Sequence, residues 1–229
     1  MEGVKKLFDE IFGTRGKNLP QIWHWSNEVE SYYLIKILKK IKPKFILDAG
    51  CGVGLKLERI RNYNVIGFDY SFNACKICKN DGFKVIQASI HQIPFKDNTF
   101  DFIYAFQVIQ HLPNWDYIKM SFKEISRILK ENGYFFTINY RLGGRLKERY
   151  MPINENNNIL HRWAFDVNDY INLAKENNLK LVRFGTILNI KPKGIGRLPI
   201  LKNFYKFIDY QIFNLNYQKG LYLIGLFKK

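Results

Sequence analysis

Three glycines at alternate positions, Gly50, Gly52 and Gly54, follow an apolar run that closes on a carboxylate, Phe45-Ile-Leu-Asp48. A turn that lacks side chains at every second residue lets backbone approach a bulky ligand closely. A second apolar run, Val65-Ile-Gly-Phe-Asp69, ends in another carboxylate about twenty residues beyond the first glycine. An ionised Asp accepts hydrogen bonds from both hydroxyls of a ribose, so Asp69 beside the glycine turn points to a ligand that carries a nucleoside. The competing role for Asp69 is a turn or cap residue ahead of a helix beginning near Ser71. The glycine spacing departs from G-x-G-x-x-G, because the third glycine falls one position early, and no Gly-Lys-Ser or Gly-Lys-Thr follows to hold a triphosphate.

With its acidic residue followed by Gly-x-Gly-x-Gly, the stretch Asp48 to Gly54 resembles the first motif of the class I S-adenosylmethionine-dependent methyltransferases. Further blocks keep that family's order. Val85 to Phe95 resembles its third strand and Pro-Phe turn, and Asp97-Asn-Thr-Phe-Asp101 the block opening its fourth strand. Phe102 to Leu112 resembles the strand and loop ending in Glu-His in the branch called type 11, and Met120 to Leu129 with Lys130-Glu-Asn-Gly133 resembles the helix and turn before its fifth strand. The match covers about residues 44 to 140. The resemblance implies S-adenosylmethionine as cofactor, held by Asp48, Gly50, Cys51, Gly52, Gly54, Asp69, Tyr70, Ser89, Ile90, Ala105, Phe106 and Gln107. Ser89 stands where many relatives carry an Asp for the adenine amino group, which leaves adenine to backbone groups of Ser89 and Ile90 and to apolar packing. Gln110 replaces a frequent Glu, and Asn132 a frequent Pro.

A sulfonium methyl is already activated, so such an enzyme must chiefly align a nucleophile and, for a hydroxyl acceptor, offer a base. His111, Tyr140 and His161 are the candidates near the ends of the fourth and fifth strands, and a loop-holding role for His111 is the alternative. No metal is required. The expectation is methyl transfer to a small-molecule acceptor, lipid- or glycan-linked among the options. An RNA (tRNA or rRNA) methyltransferase and a non-catalytic S-adenosylmethionine-binding subunit are the other readings. No Asn-Pro-Pro-Tyr or Asp-Pro-Pro-Tyr element, catalytic Cys motif or RNA-binding module supports the RNA reading.

The elements that must position these groups follow from periodicity. Val4, Leu7, Phe8, Ile11 and Phe12 give residues 2 to 12 one apolar helical face, closed by Gly13-Thr-Arg-Gly16. Asn27 to Ile41 predicts a second helix, stopped by Pro43, with Trp23, His24 and Trp25 just ahead of it as a candidate lid. Residues 141 to 165 read as a polar excursion, Asp166 to Asn178 as a helix, Leu181 to Ile190 as a strand and Leu221 to Phe227 as the last strand. The resulting fold class is α/β: a Rossmann-like, doubly wound, seven-stranded and mostly parallel sheet. Resemblance to the family gives strand order 3-2-1-4-5-7-6 with the last strand antiparallel. One domain of 229 residues is expected, with N-terminal helices over 1–42, the cofactor-binding core over 43–140, and the acceptor-side insert, basic segment and last strands over 141–229.

Composition agrees with a globular enzyme, at 47% hydrophobic and 16% aromatic residues. Cys75 and Cys78 lie three apart in the helix after Asp69, and no second ligand pair exists to complete a zinc site, so they read as packing residues. The net charge of +16 is uneven: residues 180 to 229 hold ten Lys and Arg against one acid, Asp209, for a net +9. Leu198 to Ile208 interleaves lysines with aromatics and leucines, which suits an anionic membrane surface, a polyphosphate substrate or RNA. Without a secretory leader pattern or an apolar run of the roughly 20 residues that span a bilayer, the expected location is cytoplasmic, with peripheral membrane contact an option.

Overall fold

The computed structural model describes residues 2–18, 21–155, 158–188, 199–214 and 219–229. Helices α1 (Glu2–Arg15) and α2 (Gln21–Ile41) precede β1 (Ile46–Ala49), α3 (Leu55–Arg59), β2 (Val65–Asp69), α4 (Phe72–Asn80) and β3 (Val85–Gln87). Then come β4 (Phe100–Phe106), a short 3-10 turn at Ile109–His111, α5 (Trp115–Ile128) and β5 (Leu129–Arg141). The remainder comprises β6 (Ile153–Glu155), β7 (Asn158–Leu160), β8 (Ala164–Phe165), α6 (Val167–Glu176), β9 (Lys180–Ile187), α7 (Pro199–Asn214) and β10 (Tyr222–Lys228).

The main path of the sheet runs β3-β2-β1-β4-β5-β10-β9, with β10 antiparallel to both β5 and β9. That is the expected order. The addition is β8, an eighth strand of two residues lying parallel to the end of β5 at Tyr140 and Arg141. The supposed polar excursion therefore contains structure: β6 and β7 form a hairpin, and Ala164 and Phe165 of β8 are fully buried. Two apolar residues are too short a run for period-2 alternation to show.

Alternation in β4 explains the two-sided core. Phe102, Tyr104 and Phe106 pack toward Val29, Tyr33, Leu34 and Leu38 of α2, whereas Ile103 and Ala105 face Ile118, Phe122 and Ile125 of α5. A strand buried on both faces reads as a continuous apolar run, as Phe102 to Phe106 does after Asp101. Each fully buried Phe contributes about 1.5–3 kcal/mol of transfer free energy, which anchors the strand whose end enters the site.

Two helix boundaries differ from expectation. Helix α1 continues through Gly13 to Arg15, and Gly16 ends it at φ +54. Gly13 is tolerated inside the helix because Asn73 Nδ2 lies 2.9 Å from where a Cβ would stand, and that amide donates to the Asp9 carbonyl. Helix α2 starts six residues early, so Trp23, His24 and Trp25 belong to it and do not precede it. Pro20, which suits a helix start, was the available sign. The side chains of Trp23 and His24 lie outside the described residues, as do Leu198 of the basic segment and its Lys191, Lys193 and Arg197. Asp166 caps α6 in a capping box with Asp169, and Arg149 binds both carboxylates, fixing the insert to the core. Among the described residues, no helix is long and apolar enough to cross a membrane.

Candidate active site

The strand β1 delivers the chain into a turn where Gly50, Gly52 and Gly54 have φ of +84, +52 and +80. Side chains rarely adopt that region. At Gly50 the constraint is also spatial, since a Cβ would lie 2.3 Å from Val108 Cγ2 beyond the end of β4. The Gly50 and Cys51 amides both donate to the Phe68 carbonyl, at 2.8 and 2.9 Å. Asp69 holds the turn from the next strand: its Oδ2 accepts from Gly52 N at 2.8 Å and its Oδ1 from Ser71 N at 2.9 Å. The cysteines brace the turn from below, with Cys78 Sγ donating to the Gly52 carbonyl at 3.2 Å and Cys51, Cys75, Leu57 and Val85 packed around it.

A cavity of about 310 Å³ opens above this turn, along the C-terminal ends of the parallel strands. Gly50, Cys51, Gly52, Asp69, Tyr70, Ser89, Ile90, Phe106 and Gln107 all line it, and so do His111 and Tyr140. Asp48, Gly54, Ala105 and His161 do not. Asp48 and Ala105 are buried in the sheet, Gly54 starts α3, and His161 lies behind Leu160, which does reach the cavity. A wider hollow of about 740 Å³ along α1 and the start of α4 contains none of these groups.

Helices α1 and α2 roof the cavity. Phe8 of α1 meets the His111 ring edge-on at 5.7 Å, and Phe12 lies near Gly52. Asp9 fastens α1 to the start of α4, accepting from Ser71 Oγ at 2.5 Å and Asn73 N at 3.1 Å. From α2, Ser26, Asn27 and Glu30 face the cavity.

Sequence reasoning missed Glu30. It is fully buried, forms an ion pair with Lys56 Nζ of α3 at 2.9 Å, and accepts a hydrogen bond from Gln107 Nε2. Gln107 is itself held at φ +58, a conformation unusual for its type, with its N donating to the Ile138 carbonyl at 2.7 Å. The sign was available: Glu30 shares the helical spacing of Tyr33, Leu34, Ile37 and Leu38, and an acid on an apolar stripe needs a partner.

Electrostatics separate the two acids of the sequence motif. Burial drives the Asp48 carboxyl up to about 7, against the nearby Tyr104 hydroxyl and Lys56 ammonium, and Asp48 Oδ2 has no hydrogen-bond partner. Burial also raises Asp69, while the Ser71 and Gly52 amides oppose it. Ser89 is not a bare hydroxyl, because its Oγ lies 2.6 Å from His91 Nδ1.

The three base candidates differ in kind. His111 Nδ1 lies 2.8 Å from the His161 carbonyl, an acceptor only, so Nδ1 carries the proton. Its Nε2 then accepts from Gln110 Nε2 at 3.1 Å, which occupies the lone pair a base would use. Burial lowers its pKa to about 4, with the His161 hydrogen bond opposing. Gln110 is a hub: its Oε1 accepts from Tyr140 N at 2.7 Å and its carbonyl from Trp163 N at 2.9 Å. His161 Nδ1 pairs with Tyr150 Oη at 2.7 Å outside the cavity, and burial lowers its pKa. Tyr140 packs between His111 and Tyr222, with ring centroids at 5.8 and 5.7 Å, and burial raises its pKa.

Comparison with known proteins agrees with this architecture. Residues 47–137 match the family model described as Methyltransferase domain. An uncharacterized protein of Methanocaldococcus jannaschii is 31% identical over 152 residues, 65% of each chain. Sterol 24-C-methyltransferase erg6 of Schizosaccharomyces pombe is 32% identical over 107 residues, 42% of this chain and 28% of that enzyme. The chain thus spans less than two thirds of either relative. A crystal structure of a SAM-dependent methyltransferase from Methanosarcina mazei superposes with a TM-score of 0.61 at 17% identity, covering 81% of this chain and 92% of that one.

Proposed function

With a class I S-adenosylmethionine-dependent methyltransferase domain of the type 11 branch at residues 47–137, we propose that this chain transfers a methyl group to a small-molecule acceptor. The observation that carries the reading is the roof. Phe8, Phe12 and Glu30 close the cavity from above, which favours an acceptor that enters as a small molecule over a polymer strand laid across an open groove. Relatives of similar identity are named for sterol and for tRNA methylation, so the roof and not the relatives carries this choice. The exposed Phe204 and Phe207 of α7, within a segment of net +9, support a peripheral membrane contact as the role of the tail.

The residues fit the cofactor on two counts. Each Asp69 oxygen accepts one amide here and keeps a lone pair for a ribose hydroxyl. Glu30 and Lys56 bring opposite charges to the same wall as Gln107, which suits an amino-acid zwitterion. When bound, S-adenosylmethionine supplies the activated methyl. Asp69 and the glycine turn hold the nucleoside end, with Tyr70, Ser89 and Ile90 beside the base. Glu30, Lys56 and Gln107 hold the amino-acid end. Tyr140 and Tyr222 form the floor on which the acceptor rests, and the roof excludes water. With both ring nitrogens occupied, His111 acts as a positioning residue: through Gln110 it fixes the backbone of Tyr140. Alignment, not proton abstraction, is then the main contribution of the protein.

Incubation with methyl-labelled cofactor and fractionated cell extract tests this. Label in a soluble metabolite or lipid fraction is the expected result. Label in RNA overturns the small-molecule reading, and cofactor binding with no label in any fraction favours a non-catalytic subunit.

A further inference from the structure

We propose that Arg145 anchors an anionic group, a carboxylate or phosphate, on the methyl acceptor. The inference rests on the methyltransferase reading and adds the charge of the acceptor to it.

Arg145 lies in the loop after β5 and lines the cavity beside Tyr140, Leu160 and Tyr222. This wall belongs to β5 and β10. Asp69 and Ser89, on the β2 and β3 side, lie across the sheet from it, because β1 and β4 intervene in the strand order. The nucleoside groups therefore gather at one end and Arg145 stands at the other.

The loop that carries it is fixed. Arg145 N donates to the Leu221 carbonyl at 3.0 Å, and Gly143 N donates to the Leu146 carbonyl at 2.8 Å. Gly144 has no room for a side chain, since a Cβ would lie 2.6 Å from the Gly220 carbonyl oxygen. Leu146 is buried directly after. The backbone of Arg145, an exposed residue, is thus pinned against the start of β10.

Its guanidinium differs from those nearby. Arg141 donates to the Gly220, Leu142 and Gly143 carbonyls, Arg149 to Asp166 and Asp169, and Arg162 to the Met151 carbonyl. Arg145 has no side-chain hydrogen bond or ion pair among the described residues. The acids of the cavity are engaged elsewhere, Glu30 with Lys56 and Gln107, and Asp69 with the turn amides. Its charge reaches the tyrosine pair, drawing both phenol pKa values down against their burial. A planar guanidinium with an open fork, beside two phenol rings whose centroids lie 5.7 Å apart, matches a ligand with an apolar or aromatic body and a carboxylate or phosphate at its end.

The test uses the whole protein saturated with S-adenosylhomocysteine and titrated calorimetrically with phenyl phosphate and with phenol. Phenyl phosphate should bind at least about ten-fold more tightly than phenol, and Arg145→Gln should abolish that preference while leaving phenol and S-adenosylhomocysteine affinity unchanged. An unchanged preference in Arg145→Gln overturns the proposal. So does a loss of S-adenosylhomocysteine affinity, which would assign Arg145 to the carboxylate of the cofactor. Failure of the wild-type protein to bind S-adenosylhomocysteine is a separate result that defeats the methyltransferase reading itself. Co-sedimentation with phosphatidylglycerol vesicles that is lost in Arg145→Gln identifies a lipid headgroup as the source of the anion. Phenyl phosphate binding without vesicle binding identifies a soluble acceptor.

Discussion

Glu30→Gln gives the sharpest test of how the amino-acid end of the cofactor is held. The substitution keeps the shape of a fully buried side chain and removes the charge that faces Lys56 Nζ at 2.9 Å and Gln107 Nε2. If the Glu30 carboxylate receives the ammonium of the ligand, one charge-assisted hydrogen bond of about 1.5–3 kcal/mol is lost. At about 1.4 kcal/mol per decade, S-adenosylhomocysteine should then bind roughly ten- to hundred-fold more weakly. The comparison ligand is 5′-methylthioadenosine, the same nucleoside thioether without the amino-acid end, and its affinity should change less than about three-fold. Lys56 loses its partner in the variant, and breaking a fully buried pair costs about 3–5 kcal/mol. Its side chain keeps 19% exposure, so water relieves part of that penalty and the unfolding free energy should fall by less. Calorimetric titration of both ligands, with denaturant unfolding alongside, separates the effects. Equal weakening of both ligands would show that Glu30 acts through the fold, and no weakening of S-adenosylhomocysteine would refute the assignment outright.

Three further perturbations follow from the site. Gly50→Ala places a Cβ 2.3 Å from Val108 Cγ2 at φ +84, so S-adenosylhomocysteine binding should be lost and the fold destabilised by about 1–3 kcal/mol. Adding Val108→Ala should restore stability only in part, because the backbone strain remains, as thermal unfolding of single and double variants can measure. Asp48 holds its proton in the folded state up to about pH 7 against 3.8 ordinarily, so the folded form binds more protons between those values and stability falls as pH rises through them. Asp48→Asn removes that loss, and its advantage over wild type should grow from pH 4 to pH 8 toward a ceiling on the order of 4 kcal/mol, read by denaturant unfolding at each pH. The His111 imidazole should titrate near pH 4 by NMR with Nδ1 protonated at neutral pH, and a midpoint near 6.5 would return it to the list of bases.

The fold was legible where one element carries its own signal. Phe102 to Phe106 is apolar on both faces, and the order of strands around it followed from the family resemblance of the ordered blocks. Boundaries were less legible where tertiary contacts decide them. Gly13 ought to end α1, yet the Asn73 amide from α4 occupies the space beside it and the helix runs on. The strand β8 exists because Ala164 and Phe165 find the end of β5, a pairing that two residues cannot announce.

The candidate site divides along the same line. The half proposed to hold the nucleoside depends on residue types that the backbone demands: three glycines at positive φ, and an Asp whose oxygens meet amides only 2 and 17 residues away. Short separations and special conformations leave a motif. Its other half is assembled by side chains from distant parts of the chain. Glu30 meets Gln107 across 77 residues, Arg141 meets Gly220 across 79, and Tyr140 stands opposite Tyr222 in the antiparallel pair. No spacing rule links such residues, because loop closure and sheet register bring them together, not a shared turn. The proposed donor end is therefore written locally in the sequence. The proposed acceptor end has to be read from charge that the fold leaves unanswered among the described residues, and Arg145 is where that charge lines the cavity.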